Sequence, residues 1–337
     1  MAVLKEVVVP RVTSSDVARE SGVSRTTVSY VLTGKEGVAI SAATRQRVRE
    51  AAVRLGYAPS AAARTLRSGR SDLVLCVLPD WPMGPVIDTL LDHLVGELAQ
   101  RGLSVLVHHG RDPRPRSELW RAVTPRAVLG FTAFAPDDVR AMRQAGIQVL
   151  DTTMAEDVPD PGVFSASQTR IGRLQAQHLV SGGHRRIGYA VSTDPRVAHF
   201  GADRLAGARR ECAERGLREP LVQGVHLDVG SAAGAVRTWR AARPAVTAVA
   251  AYNDEVALAV LAGLRAEGLA TPDDVAVIGV DDIPAARLAA PALTTVSQGI
   301  QTQGRHHAAM VLAALDGSGE MPPRPGDLHE VVVRDST

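Results

Sequence analysis

The chain has 337 residues, 45% apolar and 22% charged, the balance of a globular protein with room for one large domain and a smaller one. No apolar run nears the roughly 20 residues that cross a bilayer, and the N-terminus, MAVLKEVVVPRVTSSD, lacks a long apolar stretch behind a basic start. Neither a membrane span nor secretion is expected, and the expected compartment is the cytoplasm. The net charge of +2 is unevenly spread: residues 1–70 carry 12 Lys+Arg against 5 Asp+Glu, and the remaining 267 carry 26 against 31. A head of +7 on a body of −5 points to a polyanion as the head's partner.

In chain order, the first predicted element is a short helix over TSSDVARES. Thr13 is placed as its N-cap, Asp16 three residues on as the reciprocal acid, and Gly22 as its end, where a positive φ lets the chain turn. Ser24 can cap a second helix, SRTTVSYVL. Its Val28, Val31 and Leu32 face inward, and Arg25, Thr26, Ser29 and Tyr30 face out. Two short helices about a glycine turn make a helix-turn-helix, which sets the start of the second helix against base edges in the major groove. A third helix is expected from Ser41, with Val48, Ala51, Ala52 and Leu55 as its apolar stripe and Gly56 as its stop. Its outer face carries Arg45, Arg47, Arg49 and Arg54. Any one of these is most simply a solvated side chain, but the excess of positive charge in so small a unit suits phosphate.

From Leu73 onward, strand-like runs (LVLCVLPD, SVLVHH, AVLGF, IQVLDT, RIGYAV, AVAAY and DVAVIGVDD) alternate with helical stretches. The helices are expected to start near Pro85, Ala135, Thr169, Asp203, Ser231 and Asp254. This rhythm predicts α/β structure with parallel sheets covered on both faces. Ligands of such sheets sit at the carboxyl ends of strands, which makes Asp80, Arg204, Asn253 and Asp281 effector candidates. A carboxylate and an amide can share vicinal hydroxyls, and an arginine can hold a hydroxyl or an acid. Asp254 and Asp282 read better as structural neighbours. Cys76 and Cys212 read as reduced, buried thiols, not a disulfide or a metal site. His108–His109 and His306–His307 are adjacent, not at helical ligand spacing, so no metal is expected. No G-x-G-x-x-G, G-x-x-x-x-G-K-[ST] or G-x-S-x-G string is present; this argues against a nucleotide-dependent enzyme or a hydrolase, and no cofactor is expected.

The run D-V-A-x-x-x-G-V-S-x-x-T-V-S-x-V-L, followed by L-G-Y-x-P-x-x-x-A-R-x-L, resembles the headpiece of the lactose-repressor (LacI/GalR) family nearly position for position. The resemblance continues through VLPD, GHRRIGY, RLAG, AAYND, DVAVIGVDD, P-x-LTTV and VVVRDST, so it covers almost everything after about residue 10. It implies a sequence-specific DNA-binding regulator, a repressor, acting as a homodimer on a near-palindromic operator and switched by a small-molecule effector. It implies base readout by Arg25, Thr26 and Tyr30, and phosphate contact by Thr27 and Ser29, with Ser24 also counted as DNA-binding. APSAAARTL matches the hinge helix, in which Ala63 and Leu66 meet the minor groove and Leu66 wedges a base step. Arg204, Asn253 and Asp281 match effector-contacting positions.

The implied organisation is a headpiece (1–58), a hinge (59–71) and a periplasmic-binding-protein-like effector domain (72–337) of two lobes. The first lobe would hold about 72–163 and 292–320, and the second about 164–291 and 321–337, with crossings near Phe164, Ala292 and Met321. Two departures from the family's pattern stand out. Ser167 and Gln168 occupy the place of an Asp-Asn pair, and MGPVID replaces a string carrying paired aromatics. With aromatics at 3%, this argues against a stacked sugar platform; Trp81 is nearby, but a lone loop tryptophan more often serves packing.

Overall fold

The computed structural model describes residues 12–32, 37–57, 71–110, 116–152, 167–317, 320–323 and 325–337. Contacts divide the chain into two units, Met1–Ser71 and Asp72–Thr337. In the first unit, the Asp16 carboxylate accepts from both the backbone N–H and the hydroxyl of Thr13, starting α1 (Ser14–Ser21). Gly22, at φ 68° and ψ 32°, ends the helix in the left-handed region that a side chain would strain. Ser24 then accepts from the Thr27 N–H at 3.1 Å and opens α2 (Arg25–Leu32). Ser41 caps α3 (Ala42–Arg54) in the same way through Thr44. Val17, Ala18, Val28, Val31, Val48 and Ala51 close the core between the three helices. The hinge, with Ala63 and Leu66, lies outside the described residues.

The second unit holds two sheets. The first has the order β2-β1-β3-β4, all parallel: β1 (Leu73–Leu78), β2 (Ser104–His109), β3 (Ala127–Gly130) and β4 (Gln148–Asp151). Alternation along β1 sends Val74, Cys76 and Leu78 to one face, where α4 (Pro85–Ala99) and α12 (Ile300–Asp316) cover them. Leu75 and Val77 go to the other face, against α5 (Arg116–Val123) and α6 (Pro136–Gln144).

The second sheet has the order β10-β9-β8-β7-β5-β6, parallel except for the β10–β9 pairing, which is antiparallel. Its strands are β5 (Ile187–Ser192), β6 (Leu221–Val225), β7 (Ala248–Ala251), β8 (Ala276–Val280), β9 (Thr294–Ser297) and β10 (Glu330–Val332). One face packs against α9 (Val229–Ala241) and α10 (Asp254–Ala266). The other packs against α7 (Gln168–Ser181) and α8 (Ala198–Glu214). A short α11 (Pro284–Leu288) follows β8.

Three expectations need correction. β9 pairs with β8, Ile278 opposite Thr294, so the chain returns to the first lobe after Ser297 and not near Ala292. The helix expected near Asp203 begins at Ala198, behind a turn of 3₁₀ helix at Pro195–Val197 that Asp194 caps through the Arg196 N–H. VVVRDST is strand only at its start. Beyond β10 the tail tucks under the sheet, where the buried Ser336 hydroxyl donates to the Val277 carbonyl and accepts from the Thr294 N–H. The first crossing, expected near Phe164, falls outside the described residues, between Thr152 and Ser167.

Candidate functional site

In the first unit, α2 presents Ser24, Arg25 and Thr26 fully exposed, with Thr27, Ser29 and Tyr30 half-buried behind them. The Ser24 and Thr27 hydroxyls lie 2.9 Å apart at the start of the helix. On α3, Arg47 and Arg49 point to solvent. Arg45 does not belong to that outer face: its guanidinium turns back to the carbonyls of Val38 and Ile40 and holds the loop before the helix. Arg54 reaches Glu20 on α1 at 3.3 Å.

In the second unit, a cavity of about 600 Å³ opens between the two lobes at the carboxyl ends of their strands, within the size range of small-molecule sites. Arg204, Asn253 and Asp281 all line it. Arg204 is 4% exposed and reaches the floor because α7 and α8 touch backbone to backbone. A Cβ on Gly172 would stand 1.7 Å from the Arg204 carbonyl oxygen, and one on Gly207 would stand 1.8 Å from that of Thr169. The contact brings Gln168 to Arg204, whose Nε donates to the Gln168 side-chain oxygen at 2.7 Å. A second guanidinium nitrogen donates to the Tyr252 carbonyl at 2.5 Å, and the group lies over the Tyr252 ring at 4.7 Å.

Asp281 follows β8 with φ 112°, a conformation unfavourable for a residue with a side chain, and accepts from the Gln298 amide at 2.5 Å. Such strain at a cavity wall is characteristic of positions held for binding. Burial pushes its carboxyl up to about 6, against the opposing pull of Arg204 and the Gln298 hydrogen bond. Asn253 caps α10 by accepting from the Val256 N–H and lines the cavity from the same position. Asp80 is not among the lining residues; its carboxylate lies 3.9 Å from His109 in the first lobe and 3.9 Å from Arg196 in the second. Asp282 pairs with Arg334 and Arg287. Asp254 is fully buried, accepting from the Thr295 hydroxyl at 2.6 Å and the Ile283 N–H at 2.9 Å.

Sequence reasoning missed several lining residues, among them Gln168, Asp194, Tyr252, Glu255 and Gln298. Gln168 stood in view as a departure from the family's pattern; its role as the arm that holds Arg204 needed the glycine contact to be seen. Trp81 both packs and lines: it stands 6.1 Å from Phe131 and 5.7 Å from Phe200 of the other lobe, ring centre to ring centre. Aromatics are few, but Trp81, Phe200 and Tyr252 meet at this one cavity.

Residues 13–60 match the family described as bacterial regulatory proteins, lacI family, and residues 176–337 match a periplasmic binding protein-like domain. The HTH-type transcriptional regulator CelR of Thermobifida fusca is 32% identical over 97% of this chain and 98% of that protein. Among solved structures, a complex of the transcriptional regulator CelR with cellobiose is 29% identical with a TM-score of 0.64, over 97% of this chain and 100% of that one. A Lac repressor dimer bound to operator and the anti-inducer ONPF, 22% identical, shares the fold with a TM-score of 0.77 over 97% of this chain and 99% of that one.

Proposed function

The chain belongs to the LacI family of bacterial regulatory proteins and is a DNA-binding transcriptional regulator, and from that premise we propose which of its residues read DNA and which sense the effector. Arg25, Thr26 and Tyr30 read bases; Ser24, Thr27 and Ser29 hold phosphates; Ala63 and Leu66 enter the minor groove from the hinge. The protein acts in the cytoplasm as a homodimer, because one headpiece offers one recognition helix and a near-palindromic operator offers two half-sites. The protein is not an enzyme on this reading; turnover of a bound sugar by the purified chain would overturn that part of it.

The observation that carries the sensing role is the cavity itself. Its walls come from both lobes, and Arg204, Asn253 and Asp281 converge on it from three separate elements of the second. A ligand touching both lobes favours one angle between them and so can switch operator affinity, provided it binds the two arrangements unequally. The ligand is a sugar or related metabolite, as in the complex of the CelR regulator with cellobiose.

Fluorescence anisotropy on a labelled operator, titrated with and without the effector found by a thermal-shift screen, tests this. Asp281→Ala is expected to abolish the ligand response while changing ligand-free operator binding by less than about 1 kcal/mol, since substitutions at remote sites act nearly independently. A variant that still responds normally would remove Asp281 from the site.

A further inference from the structure

The two walls of the cavity differ in chemistry. The second lobe supplies Gln168, Arg204, Asn253 and Asp281, a floor of hydrogen-bonding groups. The first lobe supplies an unbroken lining segment, residues 81–87, which reads WPMGPVI. Apart from the indole N–H of Trp81, no side chain in it offers a donor or an acceptor. On α12, Ile300 continues that apolar wall, and the Gln303 amide is spent on the Gln298 carbonyl at 2.8 Å. Met83 from the first lobe and Leu227 from the second also line the cavity and are 51% and 65% exposed, so two large apolar side chains stand at its edge.

The charges are as lopsided. Asp194, Glu255 and Asp281 line the cavity, and Arg204 is the one arginine or lysine among the described lining residues. Asp194 is matched by Arg196 at 2.5 Å, and Arg204 already serves Gln168 and the Tyr252 carbonyl. An anionic ligand would enter a field of its own sign and find its only cation partly spent.

We infer that the effector is an uncharged amphipathic molecule, a hydroxyl-bearing head joined to a hydrophobic body, with the head on the second lobe and the body against the WPMGPVI wall of the first. This rests on the assignment of the cavity as the effector site and adds the class of molecule it takes. A bare monosaccharide would set hydroxyls against a wall whose side chains offer only the Trp81 indole N–H, losing most of their hydration without return. A hydrophobic substituent gains there what the hydroxyls lose. Contact with the first lobe, the contact that differs between lobe arrangements, is then apolar, and the body of the ligand drives the switch.

Matched probes test this on the full-length protein by calorimetry: methyl and phenyl glycosides of glucose, galactose, mannose and cellobiose, together with glucose 6-phosphate. In at least one pair the phenyl glycoside should bind about tenfold or more tighter than its methyl counterpart, the gain expected from burying most of a ring. Glucose 6-phosphate should not bind measurably. Met83→Ser and Leu227→Ser, both at exposed positions, should bring the phenyl-to-methyl ratio towards one; because the readout is a ratio within each variant, a general loss of folding cannot mimic it. Methyl glycosides binding as tightly as phenyl ones, a preference for the phosphate, or no binding by any pair would each overturn the inference. Repeating the titration with Asp281→Ala separates this from the underlying site: phenyl glycosides that bind the variant as they bind the parent would place the ligand outside the cavity, and that failure belongs to the site assignment.

Discussion

Asp254 and Asp281 belong to one corner of the second lobe and answer to different neighbours. Burial raises the Asp281 carboxyl to about 6, and Arg204 across the cavity floor opposes that rise. Among the described residues no cation answers Asp254 in this way; burial first, then the charge of Asp281, pushes it up from 3.8 to about 8. A carboxyl raised in this way stays protonated in the folded chain while the unfolded chain has already released its proton. Its contribution to stability is therefore full below about pH 4 and declines as pH rises to about 8. Asn at this position imitates the protonated acid, accepting from the Ile283 N–H and donating to the Thr295 hydroxyl, which can turn to receive it. Asp254→Asn is expected to gain stability over the parent as pH climbs, on the order of 1 kcal/mol or more by pH 8, with little difference near pH 4. Urea unfolding of both chains across that range checks it; a gap that does not widen with pH would show Asp254 ionised in the folded state.

Among the elements, those that announce themselves locally were legible in the sequence. The Thr13–Asp16 pair, Gly22, Ser24 and Ser41 sit where caps and turns form, and the apolar runs of β1 and β8 are visible without a fold. Elements whose cause lies elsewhere in the chain were not. β9 is a short TTVS strand whose lobe is decided by pairing with β8, and α8 starts directly behind the 3₁₀ turn that Asp194 caps and not where an apolar stripe would begin. The same limit hid half of the cavity. Strand ends pointed to Asn253 and Asp281, and the family resemblance to Arg204, which lies within α8 and not at a strand end, but nothing near Gln168 or Gln298 in sequence shows which side chain they hold. Gly172 and Gly207 link the two levels, because each leaves space for a backbone atom of the facing helix. Gly207→Ala puts a methyl against the Thr169 carbonyl, so α7 and α8 must part. The expected cost is about 1–3 kcal/mol of stability from overpacking. Effector affinity should fall as well, because the Gln168–Arg204 hydrogen bond spans the same contact. Thermal melting and ligand titration of the variant read both effects, and unchanged values would mean that the helices are free to slide.

At the scale of the molecule, the two units differ in how their parts are distributed along the chain. The three described helices of the first unit follow one another in the chain. The second sheet draws strands from residues 187–332 and closes on a tail whose Ser336 hydroxyl bonds both Val277 and Thr294. Deleting residues 334–337 removes that closure together with the Arg334 bond to Asp282 and exposes the ends of β8 and β9. Such a chain is expected to keep a folded first unit and to lose cooperative melting of the second lobe. Limited proteolysis, yielding a resistant N-terminal fragment and rapid cleavage beyond residue 187, would display this; a protected second lobe would show the tail to be dispensable.

The buried tail also sets an order of events during synthesis. Domains fold as their residues leave the ribosome, and a helical unit finished within the first 60 or so residues can do so early, at translation rates of about 5–20 residues per second. The sheet that carries the effector cavity must wait until residue 336 has emerged, with β8 and β9 held unsealed in the meantime. A nascent or prematurely ended chain thus passes through a stage at which its DNA-reading unit is complete and its sensor is not. For such a chain, the recognition helix is formed before the switch that governs it.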